Sequence, residues 1–161
     1  MAEASAVKVA ILAAVYRNAG TYGTPTWTFI GLVRDVTPSM KWNRSDASAR
    51  QTKAVLQAKT QMAISGQIVV RADDADAGYQ ALFDAAMATS ASALDLMILD
   101  GLITVEGAKG VRAHMNLDFV QNQSIGEVIY TTFDYDPAWH ADGYPSKVEM
   151  GAASAATFTA F

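Results

Sequence analysis

The feature that most constrains this chain is Asp73 to Ser90, DDADAGYQALFDAAMATS, the one segment with helical periodicity among strand-forming runs. Tyr79, Leu82, Phe83, Ala86 and Met87 fall at i, i+3, i+4, i+7 and i+8, while Asp76, Gln80 and Asp84 take the opposite side. Such a helix has one face to bury and needs something to pack on. Asp73, Asp74 and Asp76 put side-chain acceptors and negative charge where free N–H groups and the helix dipole favour them. Three neighbouring carboxylates are also a candidate cation site, but no Gly-bearing loop at calcium spacing follows, and the cap is the reading adopted.

The segments around this helix read mostly as strands. Residues 7 to 16, VKVAILAAVY, fit either a buried strand or one apolar helix. Val7, Val9, Ile11 and Val15 on one side, and the turn-rich NAGTYGTP that follows, favour the strand. Trp27 to Val36 is dense in aromatic and β-branched residues and predicts a strand covered on both faces. Thr37 to Gln61 carries Lys41, Arg44, Arg50, Lys53 and Lys59 against a single acid, Asp46. It fits a solvated hairpin or loop, a contact with an anionic partner, or a short helix from Ser48 to Lys59. Met62 to Ala72 alternates as a half-buried strand leading into the helix.

After the helix come a short apolar strand at Leu94 to Leu99, an Asp100-Gly101 turn and a brief strand at Leu102 to Val105. Val111 to Asn122 alternates best of all. Val111, Ala113, Met115, Leu117 and Phe119 are expected inward, and Arg112, His114, Asn116 and Asp118 outward to solvent or a lumen. Glu127 to Tyr135 returns as its partner and Pro137 stops it. The tail from Ala138 to Phe161 reads as an arm that is disordered or is ordered by docking.

Strands, one helix, then strands, without βαβ regularity, define an α+β chain that is mainly β. The expectation is an antiparallel sandwich or barrel flanked by one helix, with an extended loop and terminal arms. At 161 residues it reads as one domain, with a core at about 7–137 and a C-terminal arm at 138–161. Charged residues are only 17%, against about 25% in a typical soluble chain, which suits apolar surface covered by a neighbour. A net charge of −4 argues against general nucleic-acid affinity. The absence of cysteine excludes disulfides, thiolate metal sites and a cysteine nucleophile. The apolar run Val9 to Tyr16 is too short to cross a bilayer, and Glu3 makes it a poor signal peptide.

Chemistry is sparsely represented. His114 is placed on a polar strand face and His140 in a loop, and there is no Gly-x-Ser-x-Gly elbow. Asp134, Asp136, His140 and Asp142 in DYDPAWHADG have the donors for a metal-assisted hydrolase, yet turns collect Asp, Pro and Gly for their own dihedrals. No phosphate loop or dinucleotide fingerprint occurs. No catalytic, cofactor-binding or metal residue is assigned. A second possibility is a small ligand-binding β-sandwich module with Trp27, Tyr22 and Trp139 lining a pocket.

The order of several pieces carries a resemblance. A Gly20-Thr21-Tyr22 loop, Pro25 and Trp27 precede Ile30-Gly31-x-Val33-x-Asp35-Val36. Arg50, the strand at Ile68, the acid-capped helix with Tyr79, Ala81 and Leu82, and Asp100-Gly101 follow. Gly110-Val111-Arg112 and the closing strand through Phe119 to Phe133 complete it. From about Val9 to Pro137 the chain resembles the tail tube (major tail) proteins of long-tailed bacteriophages, related in fold to tube proteins of type VI secretion and other injection systems.

The resemblance implies a structural virion protein without cofactor or turnover. Six subunits form a ring, rings stack into a hollow tube, and the subunits' strands join into one barrel around a channel. The bore is acidic, so DNA passes without specific binding. The implied partners are further copies of the chain and the tape measure, tail terminator and tail tip proteins, with no membrane. The implied place is the virion tail, after assembly in the host cytoplasm. Under this reading Lys41, Arg44, Arg50, Lys53 and Lys59 make inter-subunit or inter-ring contacts, because a basic bore would grip DNA. Asn116 and Asp118 face the lumen. The tail beyond Pro137 has no counterpart.

Overall fold

The structure is a computed structural model that describes residues 13–46, 57–89, 93–122, 128–141 and 143–161. Its strands are β1 (Ala14–Asn18), β2 (Trp27–Phe29), β3 (Val33–Asp46), β4 (Gln57–Arg71), β5 (Leu94–Leu99), β6 (Lys109–Asn122), β7 (Tyr130–Pro137), β8 (Ser146–Met150) and β9 (Ala156–Ala160). A helix, α1 (Ala77–Met87), lies between β4 and β5. The strands form one antiparallel sheet in the order β2-β1-β5-β6-β7-β4-β3, and β8 pairs with β6 and β9. The sheet curls into a half-barrel, so the fold is α+β and mainly β.

Asp76 is the N-cap: its side chain accepts the Tyr79 backbone N–H at 2.7 Å, meeting one of the orphan donors of the first turn. Asp73 accepts from the Ala75 N–H and pairs with Arg71. The helix lays Tyr79 and Leu82 into the core, with Phe83 and Ala86 partly buried against it. Tyr79 packs edge-on to Phe133, and Phe83 edge-on to Phe119 at 5.2 Å. Met87 has the spacing of that face but not its burial. It sits in the last turn and is 57% exposed.

Odd and even positions separate two cores. Val15, Leu96, Ile98, Val111, Ala113 and Met115 join Phe133 under α1. Ala14, Tyr16, Met97 and Leu99 point the other way, onto Ala108, Val148 and Met150. The strand β5 is thus buried on both faces, which is why its sequence runs apolar without alternation.

Several expectations are corrected. Trp27 to Val36 is two strands, because the chain turns at Gly31-Leu32 after Ile30 donates to the Val15 carbonyl. Phe29 is exposed, so this stretch is not covered on both faces. Leu102 to Val105 is a turn closed by Val105 N–H to Leu102 C=O, with both end side chains exposed. Most of Thr37 to Gln61 is a hairpin of long strands. The proposed helix from Ser48 ends inside β4, and its residues 48–56 lie outside the described residues. The strand expected over 7–16 is described only from its end, as β1. Of the two readings of the tail, ordered by docking or disordered, the described strands follow the first: β8 extends the sheet along Lys109 to Arg112 of β6, and β9 pairs with β8.

Candidate assembly interface

The long strands β3 and β4 pair from Val33↔Val70 to Asp46↔Gln57, but β7 reaches only as far as Gly66 on β4. Beyond that point β3 and β4 form a two-stranded ribbon with no third strand among the described residues, an arrangement of marginal stability on its own. Alternation makes the ribbon amphipathic. Val36, Pro38, Met40 and Trp42 stand opposite Ile68, Gly66, Ile64 and Met62 on one face, and Thr37, Ser39 and Lys41 lie on the other. Met40 is 53% exposed and Trp42 38%, so the apolar face runs past the subunit's own core. The basic residues cluster toward the tip. Lys41 is exposed, Lys59 Nζ lies 5.4 Å from the Trp42 ring centre, and Arg44 Nη1 reaches Gln57 Oε1 at 3.5 Å. Arg50 and Lys53 lie outside the described residues.

At the base of the ribbon Gly66 faces Tyr135 across the β4–β7 ladder. A side chain at Gly66 would collide with the Tyr135 hydroxyl and the Thr37 carbonyl oxygen. Burial pushes the Tyr135 phenol from 10.0 up to about 12.

The opposite face of β6, β7 and β4 is polar and acidic. Asn116 and Asp118 are exposed and stand across from Asp136 and Asp134 on β7. Asp134 also accepts from Gln67 Nε2 on β4 at 2.8 Å. Like charges set directly opposite on a sheet destabilise it, so the fold itself does not call for Asp118 beside Asp134. The aspartates singled out as metal donors therefore belong to this face. His140 stacks on His114 at 3.8 Å, and Asp142 lies outside the described residues.

Arg112 and His114 were expected outward, and both are buried. Arg112 makes a bidentate pair with buried Asp95, Nε to Oδ1 at 3.0 Å and Nη2 to Oδ2 at 2.6 Å, and donates to the Tyr22 carbonyl at 2.9 Å. Its guanidinium lies 3.8 Å from the Tyr22 ring centre, 4.8 Å from Phe158 and 5.1 Å from Trp27. This cluster ties the 19–25 loop, β2 and the β8–β9 hairpin to the sheet. Tyr22 and Trp27 are thereby engaged in packing, Trp139 stands 82% exposed, and none of the three lines the main cavity. Sequence alternation alone misplaced Arg112, because covering of the second face depends on loops remote in sequence.

That cavity is an apolar groove of about 590 Å³ on the other side of the sheet. Val36, Pro38 and Met40 of β3, Ile64 of β4, Val111 of β6 and Val148 of β8 are among the residues that line it.

Among the described residues the sheet has two long edges without a partner strand. One is the outer edge of β3. The other is β6 from Asn116 to Asn122, because β5 leaves that edge at Leu94↔Met115 and no described strand replaces it.

No protein-family model matches the sequence, and no curated protein matches it. Solved structures do match. A chain of the SPP1 tail tube, determined by solid-state NMR and cryo-EM, superposes with a TM-score of 0.68 at 9% identity, covering 91% of this chain and 81% of that one. A chain from the tail of an empty gene transfer agent particle, refined helically with C6 symmetry, gives 0.59 at 13% identity, covering 98% and 100%. A chain of the 6-fold symmetrised anti-feeding prophage baseplate gives 0.54 at 11% identity, covering 82% and 92%. The class that this architecture defines is the tail-tube-like fold. Within that class the highest of these scores is to a bacteriophage tail tube, and at such identities the likeness is one of fold.

Proposed function

We propose that this protein is a structural tail protein, a tail tube subunit whose copies pair edge to edge into hexameric rings that stack around a channel for genome delivery. The observation that carries this reading is the sector β3-β4-β7-β6, which among the described residues has no partner strand along the outer edge of β3 or along β6 past Met115. Each strand in it is antiparallel to the next, so β3 and β6 run in opposite directions. A copy related by simple rotation brings its β3 antiparallel to the first copy's β6, and the ladder continues without a break. Six copies of four strands exceed the ~16–18 at which barrels already enclose an aqueous channel.

Closure of this kind removes edges that would otherwise template aggregation. It turns the face bearing Asn116, Asp118, Asp134 and Asp136 toward the bore, where negative charge repels phosphates and lets DNA slide. Lys41, Arg44 and Lys59 of the ribbon, together with Arg50 and Lys53, then make the contacts between subunits or stacked rings. The subunit works by assembly, without cofactor or turnover chemistry. Its partners are its own copies and, at the ends and inside the tube, the tail terminator, tail tip and tape measure proteins. It resides in the virion tail after assembly in the host cytoplasm. No described helix is long and apolar enough to cross a membrane.

Negative-stain microscopy of the concentrated protein tests the reading, with rings or filaments expected. A monodisperse monomer across salt and nucleation conditions overturns it. The variant M40E/W42E should keep its circular dichroism and lose assembly. Tubes of N116K/D118K should retain DNA at low salt where wild-type tubes do not.

A further inference from the structure

The helix α1 crosses the sheet in steps. Tyr79 lies over β7, edge-on to Phe133 and with its hydroxyl 3.3 Å from Thr131 Oγ1. Four residues on, Phe83 lies edge-on to Phe119 of β6. Four helical residues rise about 6 Å, close to the spacing of about 4.8 Å between strands. Four residues further comes Met87, exposed at the helix end. At the level of Phe119 no described strand follows β6, because β5 has already left it at Leu94↔Met115.

The ribbon carries a matching surplus. Val36, Ile68, Phe133 and Phe119 stand level across β3, β4, β7 and β6. Met40 and Trp42 share the apolar face of Val36, four and six residues further along β3, and both are exposed. Lys59 Nζ lies 5.4 Å from the Trp42 ring centre. From Asp73 to Met87 the chain carries four aspartates and no Lys or Arg, and Asp84, three residues before Met87, is exposed.

We propose that Met40 and Trp42 of one copy pack beneath α1 of the next, against Phe83 and Met87, with Lys59 set against Asp84. This contact rests on the reading that β3 pairs with a neighbour's β6, and it names what the helix does there. A third step of the same size carries the end of α1 beyond β6, over the place where the neighbour's β3 lies. Strand tilt sets the register. Barrel strands tilt by about 35–45°, which across four strands moves each copy roughly four to six residues along its neighbour. A shift of four sets Met40 level with the neighbour's Phe119, and a shift of six sets Trp42 there. Even shifts keep these side chains on the helix side, whereas odd ones turn them to the acidic face. The length of the ribbon beyond its own sheet is the length that this shift uses. Met40, Trp42 and Met87, each exposed in the single chain, then cover one another. Lys59 and Asp84 add the charge complementarity that selects a partner and fixes register.

The test uses the full chain, which has no cysteine of its own. M40C/M87C and W42C/M87C are assembled from isotopically light and heavy protein, treated with a short bis-maleimide and mapped by mass spectrometry. M40C/L102C is the control, since Leu102 is exposed in the turn after β5. At least one helix pair should link different chains at about tenfold or more the control yield, because a held contact raises the effective concentration of its groups. Rings or filaments that link no better than the control overturn the contact and leave the ring reading standing. Dispersed monomers under the microscope overturn both.

A second measurement needs no cysteine. Lys59 and Asp84 are both exposed, so K59D and D84K should fold. Each should raise the protein concentration needed for assembly at low salt several-fold, and K59D/D84K should return it close to the wild-type value. Losses that simply add in the double variant overturn the contact, and this result decides if the cysteine variants do not assemble.

Discussion

Removing Asp95 should cost this protein a large part of its stability, and removing Asp95 and Arg112 together should cost much less. Both side chains are buried, and the pair is bidentate at 3.0 and 2.6 Å. Asp95→Ala leaves a guanidinium inside the second core with one backbone acceptor, the Tyr22 carbonyl, and three aromatic faces. Breaking a buried pair from one side typically costs about 3–5 kcal/mol, while the aromatic faces return roughly 0.5–2 kcal/mol. Against a typical total of about 5–15 kcal/mol this shifts the unfolding midpoint far down.

Arg112→Ala is expected to cost a similar amount. It strands Asp95 with only the Asn18 Nδ2 donor at 2.8 Å and releases the packing of Tyr22, Trp27 and Phe158. Asp95→Leu with Arg112→Met replaces the pair by apolar groups of similar size and should land within about 1–2 kcal/mol of wild type. Urea unfolding of dilute protein, followed by tryptophan fluorescence, gives the double-mutant cycle. A loss under about 1 kcal/mol for Asp95→Ala, or additive single and double variants, refutes the claim that this pair fastens the loops to the sheet.

Gly66→Ala should destabilise by about 1–3 kcal/mol in the same assay, because its Cβ meets the Thr37 carbonyl, which cannot move without disturbing the β3–β4 ladder. Tyr135 makes stability fall at alkaline pH. Below pH 10 its phenol is protonated in both states and contributes no pH dependence; from pH 10 to about 12 the unfolded chain loses the proton that the folded chain keeps. Unfolding midpoints measured from pH 9 to 12 should fall less steeply in Tyr135→Phe than in wild type. The β8–β9 turn holds Ala153 at φ 54 and Ser154 at φ 61, where a side chain is strained. Ser154→Gly should therefore raise the unfolding midpoint by an amount worth about 0.5–1 kcal/mol.

The chain's own pattern made much of this architecture legible. The helix could be read because Asp76 caps it and Tyr79, Leu82 and Phe83 recur at helical spacing, both of which are local properties. Strands β4, β5 and β6 could be read because alternation, or its absence, reports how many faces a strand buries. The limits were equally physical. Met87 has the right spacing but is the last residue of the helix and stays exposed. Arg112 and His114 follow the polar alternation of β6, yet loops and strands tens of residues away fold over them. The break at Gly31 depends on Ile30 bonding to β1.

For the candidate interface, the sequence marked Lys41, Arg44 and Lys59 as a basic cluster and Asn116 and Asp118 as a wetted face. It gave no sign that Asp134 and Asp136 share that face, since cross-strand neighbours are set by register. Local periodicity determined the helix, the strands and which side chains form each apolar stripe, because those depend on spacing along the backbone. Only the tertiary structure decided which edges remain unpaired and where the acids gather, because both depend on which distant segments pair.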